Sequence, residues 1–287
     1  MTTPNTFPLA ELLSLERFDA NLFRSKRNQA NFTHQLFGGQ MLGQGLLAAA
    51  MTVDGRRPHS LHGYFLLAGA SDAPVIYDVE PTRDGGSFST RRVVARQKGR
   101  TIFTMEVSFH KDEPGYEHAL QPDASAPEPE TLLSVPEFVA RNAERLPASA
   151  GKGFGPGRGV EIRPIQPEDY FLRKSATASG RYWIKAVERL PDDALTQTAG
   201  LAYLSDYFLT LITVLPHATS VWEGTSMNAS LDHAMWFHRP CRVDDWLLVE
   251  AMSPFAGGAR GLARGQIFNR QRQLVASVAQ EVLIRPR

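Results

Sequence analysis

The chain has 287 residues, of which 43% are hydrophobic and 21% charged, with a formal net charge of +1. That length suffices for one large domain or two modest ones, and the balanced charge gives no sign of a nucleic-acid or acidic-membrane partner. The single cysteine, Cys241, rules out an intrachain disulfide and a cysteine-based metal cluster, and fits a reducing compartment.

Met1 to Leu15 lacks a basic segment followed by a long apolar one, so no signal peptide is expected. No apolar run is read as approaching the roughly 20 residues of a spanning helix. The last residues, Ile284-Arg285-Pro286-Arg287, carry no Ser-Lys-Leu-type peroxisomal address. The expected location is the cytoplasm, without stable membrane association.

The first predicted element is a helix from Gly38 to Met51. Strands follow from Ile76 to Phe109, with alternation in Ser89–Arg96 and Thr101–Phe109 that suits antiparallel pairing. Pro122, Pro127, Pro129, Pro136, Pro147 and Pro156 then punctuate the chain, and Gly151, Gly153, Gly155, Gly157 and Gly159 crowd the end of this stretch. It reads as a linker with one short helix near Val135–Arg145. The expected division is residues 1–118, a linker over 119–158, and residues 159–287. A second helix is predicted at about Leu195–Leu215; apolar residues cover nearly its whole circumference, so it is expected to be buried.

The two folded stretches resemble each other. Ile76 through Phe109 lies over Leu248 through Glu281 at a constant offset of 172, which puts Gly85-Gly86 on Gly257-Gly258, Arg92 on Arg264 and Val107 on Ala279. Ser60-Leu61-His62 matches Ser230-Leu231-Asp232 if two residues are inserted in the second copy. The pattern suggests an internal duplication; two generic meanders with similar turns would look alike. One helix followed by antiparallel strands, twice over, describes a sheet curled around a helix.

Three polar positions stand out. Asp206 lies inside the apolar second helix, with Ala202, Thr210 and Thr213 as helical neighbours. A carboxylate buried without partners costs several kcal/mol, so it should be paired, hydrogen-bonded or functional, unless that narrow stripe faces solvent or a subunit interface. The cluster Asn228–Pro240 holds Ser230, Asp232, His233 and His238. Alternation puts Ser230 and Asp232 on one strand face, with His233 opposite and structural. No Gly-x-Ser-x-Gly elbow supports a serine triad. Gln280 shares a face with Val278 and Val282 in the last strand, where a buried amide needs partners. The eight histidines show no helical His-x-x-x-His spacing, and Gly151–Gly159 is no phosphate loop, so neither metal nor cofactor is expected.

Phe37-Gly38-Gly39-Gln40, His59–Leu66, Tyr77–Val93 and Leu231-Asp232-His233-Ala234-Met235-Trp236-Phe237-His238-Arg239-Pro240 resemble the type II acyl-CoA thioesterases, the TesB-like double-hotdog enzymes. The similarity runs from about Leu36 to Leu283. It implies an α+β tandem double hotdog, two antiparallel sheets each wrapped around a central helix, with no cofactor and a homodimer or higher homo-oligomer. It also implies hydrolysis of fatty acyl-CoA to free acid and CoA. Carried over residue by residue, it makes Asp206, Ser230 and Gln280 the groups that hold the nucleophilic water, and it leaves the first copy, with Ser108 opposite Gln280 and Gln44 in place of the acid, without a site. Backbone N–H groups of Gly38 and Gly39 are candidate oxyanion and substrate-binding donors. The competing readings are an enoyl-CoA hydratase, whose Asp-x-Asn-Pro-x-His segment is missing, and a non-catalytic acyl-CoA-binding protein.

Overall fold

The structure, a computed structural model, describes residues 7–31, 33–152, 154, 159–173, 177–217 and 221–287. Residues 1–6 of the N-terminal reading and Gly153, Gly155, Pro156 and Gly157 of the linker lie outside the described residues.

The first half runs α1 (Leu9–Leu13), β1 (Leu15–Asp19), β2 (Leu22–Ser25), α2 (Gly38–Ala50), β3 (Arg57–Phe65), β4 (Ile76–Asp84), β5 (Phe88–Gln97) and β6 (Arg100–His110). In β5 and β6 buried and part-exposed residues alternate, so Val93, Ala95, Phe103, Met105 and Val107 form one inward face. That face closes over α2, whose residues from Gly39 to Leu46 are all buried. The linker carries α3 (Val135–Arg141), which starts on a capping box between Ser134 and Glu137 and ends four residues before the predicted Arg145.

The second half runs β7 (Val160–Pro164), α4 (Pro167–Leu172), β8 (Ser179–Ala186), α5 (Ala194–Ser205), α6 (Leu209–Val214), β9 (Ser226–Ser230), β10 (Asp232–Phe237), β11 (Leu247–Gly257), β12 (Arg260–Phe268) and β13 (Leu274–Pro286). Here the single predicted helix is broken. Asp206 ends α5, and Phe208 adopts a left-handed conformation at φ 68° before α6 begins. The Tyr207 carbonyl accepts a hydrogen bond from the Tyr182 hydroxyl at 2.8 Å, which diverts it from helical bonding. Rings of Tyr170 and Tyr182 flank Phe208 and hold the strained residue in place.

The two predicted sheets are one. β3 pairs antiparallel with β10, from Tyr64 opposite Asp232 to Ser60 opposite Trp236, so both halves share a single 13-stranded sheet. Its order is β1-β2-β4-β5-β6-β3-β10-β13-β12-β11-β8-β7, with β9 paired to β13. Joining the halves edge to edge satisfies two strand edges that would otherwise present unpaired backbone groups. The double-hotdog arrangement is therefore continuous across its midline. The stretch Ala194–His217 also corrects the reading that no apolar run is long enough to span a membrane. Its 24 residues qualify by length and composition, and 83% of the most apolar window is buried inside the protein.

α2 and α5 cross antiparallel at very short range. A methyl group built on Gly39 would run into the Tyr203 carbonyl oxygen, and one on Gly43 would sit 2.8 Å from the Ala199 carbonyl oxygen and 2.6 Å from Leu13 Cδ2. Glycine at both positions, one turn apart, lets the backbones approach. Gly43→Val should therefore overpack this contact at a cost of about 1–3 kcal/mol or more. Thermal unfolding should show a melting temperature lower by roughly 2–4 °C per kcal/mol; an unchanged melting temperature would contradict the close-contact reading.

Candidate active site

The antiparallel crossing brings the C-terminus of α5 to the N-terminus of α2. Asp206, the residue that ends α5, thereby meets Gly38 and Gly39, the first two residues of α2. A methyl group on Gly38 would lie 2.6 Å from Asp206 Oδ2, so glycine is what admits the carboxylate. The residue keeps slight surface exposure, but its carboxyl group is enclosed, and Oδ1 has no hydrogen-bonding partner among the described residues. Burial pushes the Asp206 pKa up from 3.8 to about 7, while the Gly39 backbone N–H and the Gln280 amide hold it down. An anion at the C-terminal end of its own helix is disfavoured by that helix dipole; the positive end of α2 beside it offsets this.

Gln280 is fully buried on β13, as its alternation with Val278 and Val282 predicts. Its Nε2 donates to Ser230 Oγ at 2.7 Å. Its Oε1 lies 2.7 Å from His233 Nδ1, and His233 Nε2 lies 2.9 Å from Ser205 Oγ. Ser205 Oγ is also 2.8 Å from the Ala202 carbonyl oxygen. Asp206, Ser230 and Gln280 are thus brought into one cluster, and His233 joins it.

This placement of His233 overturns the expectation from simple alternation. Ser230 stands opposite Val282 and Ala234 opposite Ala279, so four steps along β9 and β10 span three along β13. The extra residue is a β-bulge around Leu231–His233, which reverses the side-chain parity. Ser230 and His233 therefore both reach Gln280. Asp232 is turned to the other side, where its Oδ1 accepts from the Glu281 backbone N–H at 2.7 Å. Burial holds the His233 pKa down at about 4, so the ring is neutral at physiological pH. The signal in the sequence was present, in the adjacency of Ser205 to Asp206 and of His233 to Asp232. Only the bulge tells which member of each pair faces inward.

The register also corrects the repeat. Val107 pairs with Arg91 as Gln280 pairs with Ala263, so the offset is 172 on β12 but 173 on β13. Gln280's counterpart is consequently Val107, not Ser108, which faces the outer side and bonds His59 at 2.8 Å. β3 carries the same bulge between Pro58 and Ser60. It places Pro58 with Ser230 and Leu61 with His233, with no insertion needed. At the end of α2 the residue equivalent to Asp206 is Met51. Gln44, taken from the sequence as standing where an acid would sit, is buried in mid-helix, accepting from the Tyr77 hydroxyl at 2.8 Å and donating to the Leu12 carbonyl at 2.6 Å. Buried Arg91, in place of Ala263, donates to the Thr52 carbonyl just past α2 and to Asp84. The first half is apolar at the positions where the second half is polar, so among the described residues there is one such cluster.

A central helix under an antiparallel sheet, twice over, defines a tandem double hotdog, and a buried acid set against a helix N-terminus lies inside it. The acyl-CoA thioesterase model matches residues 161–283, and the model of the acyl-CoA thioesterase N-terminal domain matches residues 28–110. Acyl-CoA thioesterase 2 of Haemophilus influenzae is 38% identical over 279 residues, covering 96% of each chain. Human acyl-coenzyme A thioesterase 8 is 35% identical, over 96% of this chain and 88% of its own. The crystal structure of acyl-CoA thioesterase II TesB2 from Mycobacterium marinum superposes with a TM-score of 0.78 at 38% identity, over 97% of this chain and 98% of that one. The chain belongs to the acyl-CoA thioesterase family, in its TesB-like type II branch.

The raised Asp206 pKa sets a sign for stability. The folded chain binds this proton more tightly than the unfolded chain, so the associated stability is complete below about pH 3.8 and is lost as pH rises to about 7. Asp206→Asn should therefore melt several degrees above the unsubstituted protein at pH 8, at roughly 2–4 °C per kcal/mol. The gap should close toward pH 4. Calorimetry across that range checks it; equal melting temperatures at pH 8 would show that the carboxylate carries no burial cost.

Proposed function

We propose that this chain hydrolyses fatty acyl-CoA to the free acid and CoA, with a water activated by Asp206 as the nucleophile. The observation that carries the reading is the enclosed carboxylate itself. Its Oδ1 has no hydrogen-bonding partner among the described residues, beside a fixed amide and the first turn of a helix. A buried acceptor of this kind needs a donor, and a water supplies one.

The remaining groups suit the task. Gln280 donates to Ser230 Oγ, which leaves the Ser230 proton available to a water oxygen. A water that accepts from Ser230 and donates to Asp206 is fixed in two directions and retains a lone pair for attack. As the new C–O bond forms, the water proton passes to Asp206. The C–S bond then breaks, and the protonated Asp206 returns the proton to the departing thiolate. The Gly38 N–H, at the positive end of α2 and next to the Gly39 N–H that bonds Asp206, suits the oxyanion that forms between these steps. A pKa near 7 matches a base that must be ionised at neutral pH yet accept a proton in the transition state.

Thiol release from a chain-length series of acyl-CoA substrates tests this directly. Hydrolysis should be readily detected; enoyl hydration without thiol release, or binding without turnover, would point to the hydratase or binding-protein reading. Asp206→Asn should lower kcat by about 10²–10⁴-fold with KM little changed. The rate should fall tenfold per pH unit on the acid side of about pH 7, because protonation removes the base. Ser230→Thr should keep most activity, since the hydroxyl survives, whereas Ser230→Ala should not. A burst of acyl-enzyme would instead assign a covalent serine route.

A further inference from the structure

The Gln280 side chain raises a question that its burial makes acute. An amide can be turned end for end with almost no change in shape, yet the two ends are chemically opposite. With Nε2 toward Ser230 and Asp206 it donates to both; reversed, it would point a carbonyl oxygen at a carboxylate. Something must decide between them. Among the described residues no backbone group bonds the Gln280 amide. Its partners are Ser230, Asp206 and His233.

We propose that His233 is a positioning residue that holds Gln280 the right way round, through a neutral imidazole protonated on Nδ1 and received by Gln280 Oε1. This rests on the roles given above to Asp206, Ser230 and Gln280. The contacts form a directed chain. In this chain Ser205 Oγ, 2.9 Å from His233 Nε2 and 2.8 Å from the Ala202 carbonyl oxygen, gives its one proton to the ring; His233 Nδ1–H then donates to Gln280 Oε1, and Gln280 Nε2–H donates to Ser230 and toward Asp206. A second self-consistent pattern exists in principle. Ser205 can donate to the Ala202 carbonyl 2.8 Å away, which would put the ring proton on Nε2 and reverse every bond after it. That reversed chain sets Gln280 Oε1 against the Asp206 carboxylate. An ionised Asp206 therefore disfavours the reversed pattern at one end of the amide, and the Nδ1–H of His233 fixes the amide from its other end. Because His233 is fully enclosed, no bulk water competes for its ring nitrogens.

The comparison between halves supports this. Where the first half has Val107 in place of Gln280, it has Leu61 in place of His233. With no amide to orient, the same backbone position holds a hydrocarbon. Leucine is thus compatible with the local fold, which makes His233→Leu a usable probe, while His233→Asn keeps a donor near the Nδ1 position.

The experiment is a kinetic cycle on the full-length protein with acyl-CoA, with circular dichroism and melting curves to verify folding. His233→Leu should lower kcat by about ten- to a hundredfold, the range lost when the outer partner of a functional side chain is removed, and leave KM within about threefold. His233→Asn should recover much of that loss. In a Gln280→Ala background, His233→Leu should have little further effect, since the residue acts through the amide. An equal fold-loss in both backgrounds, or an Asn variant no better than the Leu variant, would overturn the proposal. Imidazole ¹⁵N shifts give a readout independent of turnover: an Nδ1–H tautomer at His233 supports it and an Nε2–H tautomer refutes it. If the unsubstituted protein releases no thiol, the functional reading falls, and the tautomer still decides the geometry at Gln280.

Discussion

The contact between α2 and α5 is the constraint from which the site follows. Two helices whose backbones touch at Gly39 and Gly43 cannot be rotated or slid without meeting a carbonyl oxygen of the other. Because they run antiparallel, the closing residue of one is delivered to the opening residues of the other. Asp206 thus sits at the unfavourable end of its own helix and at the favourable end of α2. Burial pushes its pKa up and the Gly39 N–H and Gln280 amide hold it down, which leaves it at about 7, where a carboxylate can both take and return a proton.

Around that carboxylate the second half builds a polar chain that leaves few ends loose. Buried Ser205, His233 and Gln280 and half-buried Ser230 bond one to the next, and the bulge at Leu231–His233 makes this possible by turning His233 to the same side as Ser230. A network of this kind is worth keeping only if nearly every member is paired, since a partly satisfied one costs more than an apolar core. The exception here, Asp206 Oδ1, lies where the chemistry is proposed to occur.

The first half shows the alternative solution on the same backbone. Pro58, Leu61 and Val107 replace the polar chain with hydrocarbon, and the Arg91 guanidinium occupies the end of α2. Its partner carbonyl on Thr52 and the Asp84 carboxylate supply the negative groups that a buried arginine requires. The two halves therefore divide the work. One supplies a helix N-terminus and a structural core, and the other supplies the acid and its supporting amide.

Much of this was legible in the residue pattern. The alternation of Val278, Gln280 and Val282 marks an inward amide, and an acid within the apolar run Leu201–Leu215 marks a carboxylate that must be accounted for. The repeat at an offset of 172 predicts two similar halves, and the match to the thioesterase motifs predicts their fold. These are local properties, set by side-chain chemistry and a period of two or 3.6 residues. What the tertiary structure alone decided depends on single-residue register. A bulge adds one residue without altering composition, so it is invisible in a pattern yet inverts every side chain beyond it. Hence His233 turned inward, Asp232 outward, and Gln280's counterpart became Val107 and not Ser108. The break after Asp206 and the pairing of β3 with β10 are likewise set by partners far away in the chain, Tyr182 for the one and the other half's sheet edge for the other. No local stretch contains that information, because the energy that selects it arises only when distant segments meet.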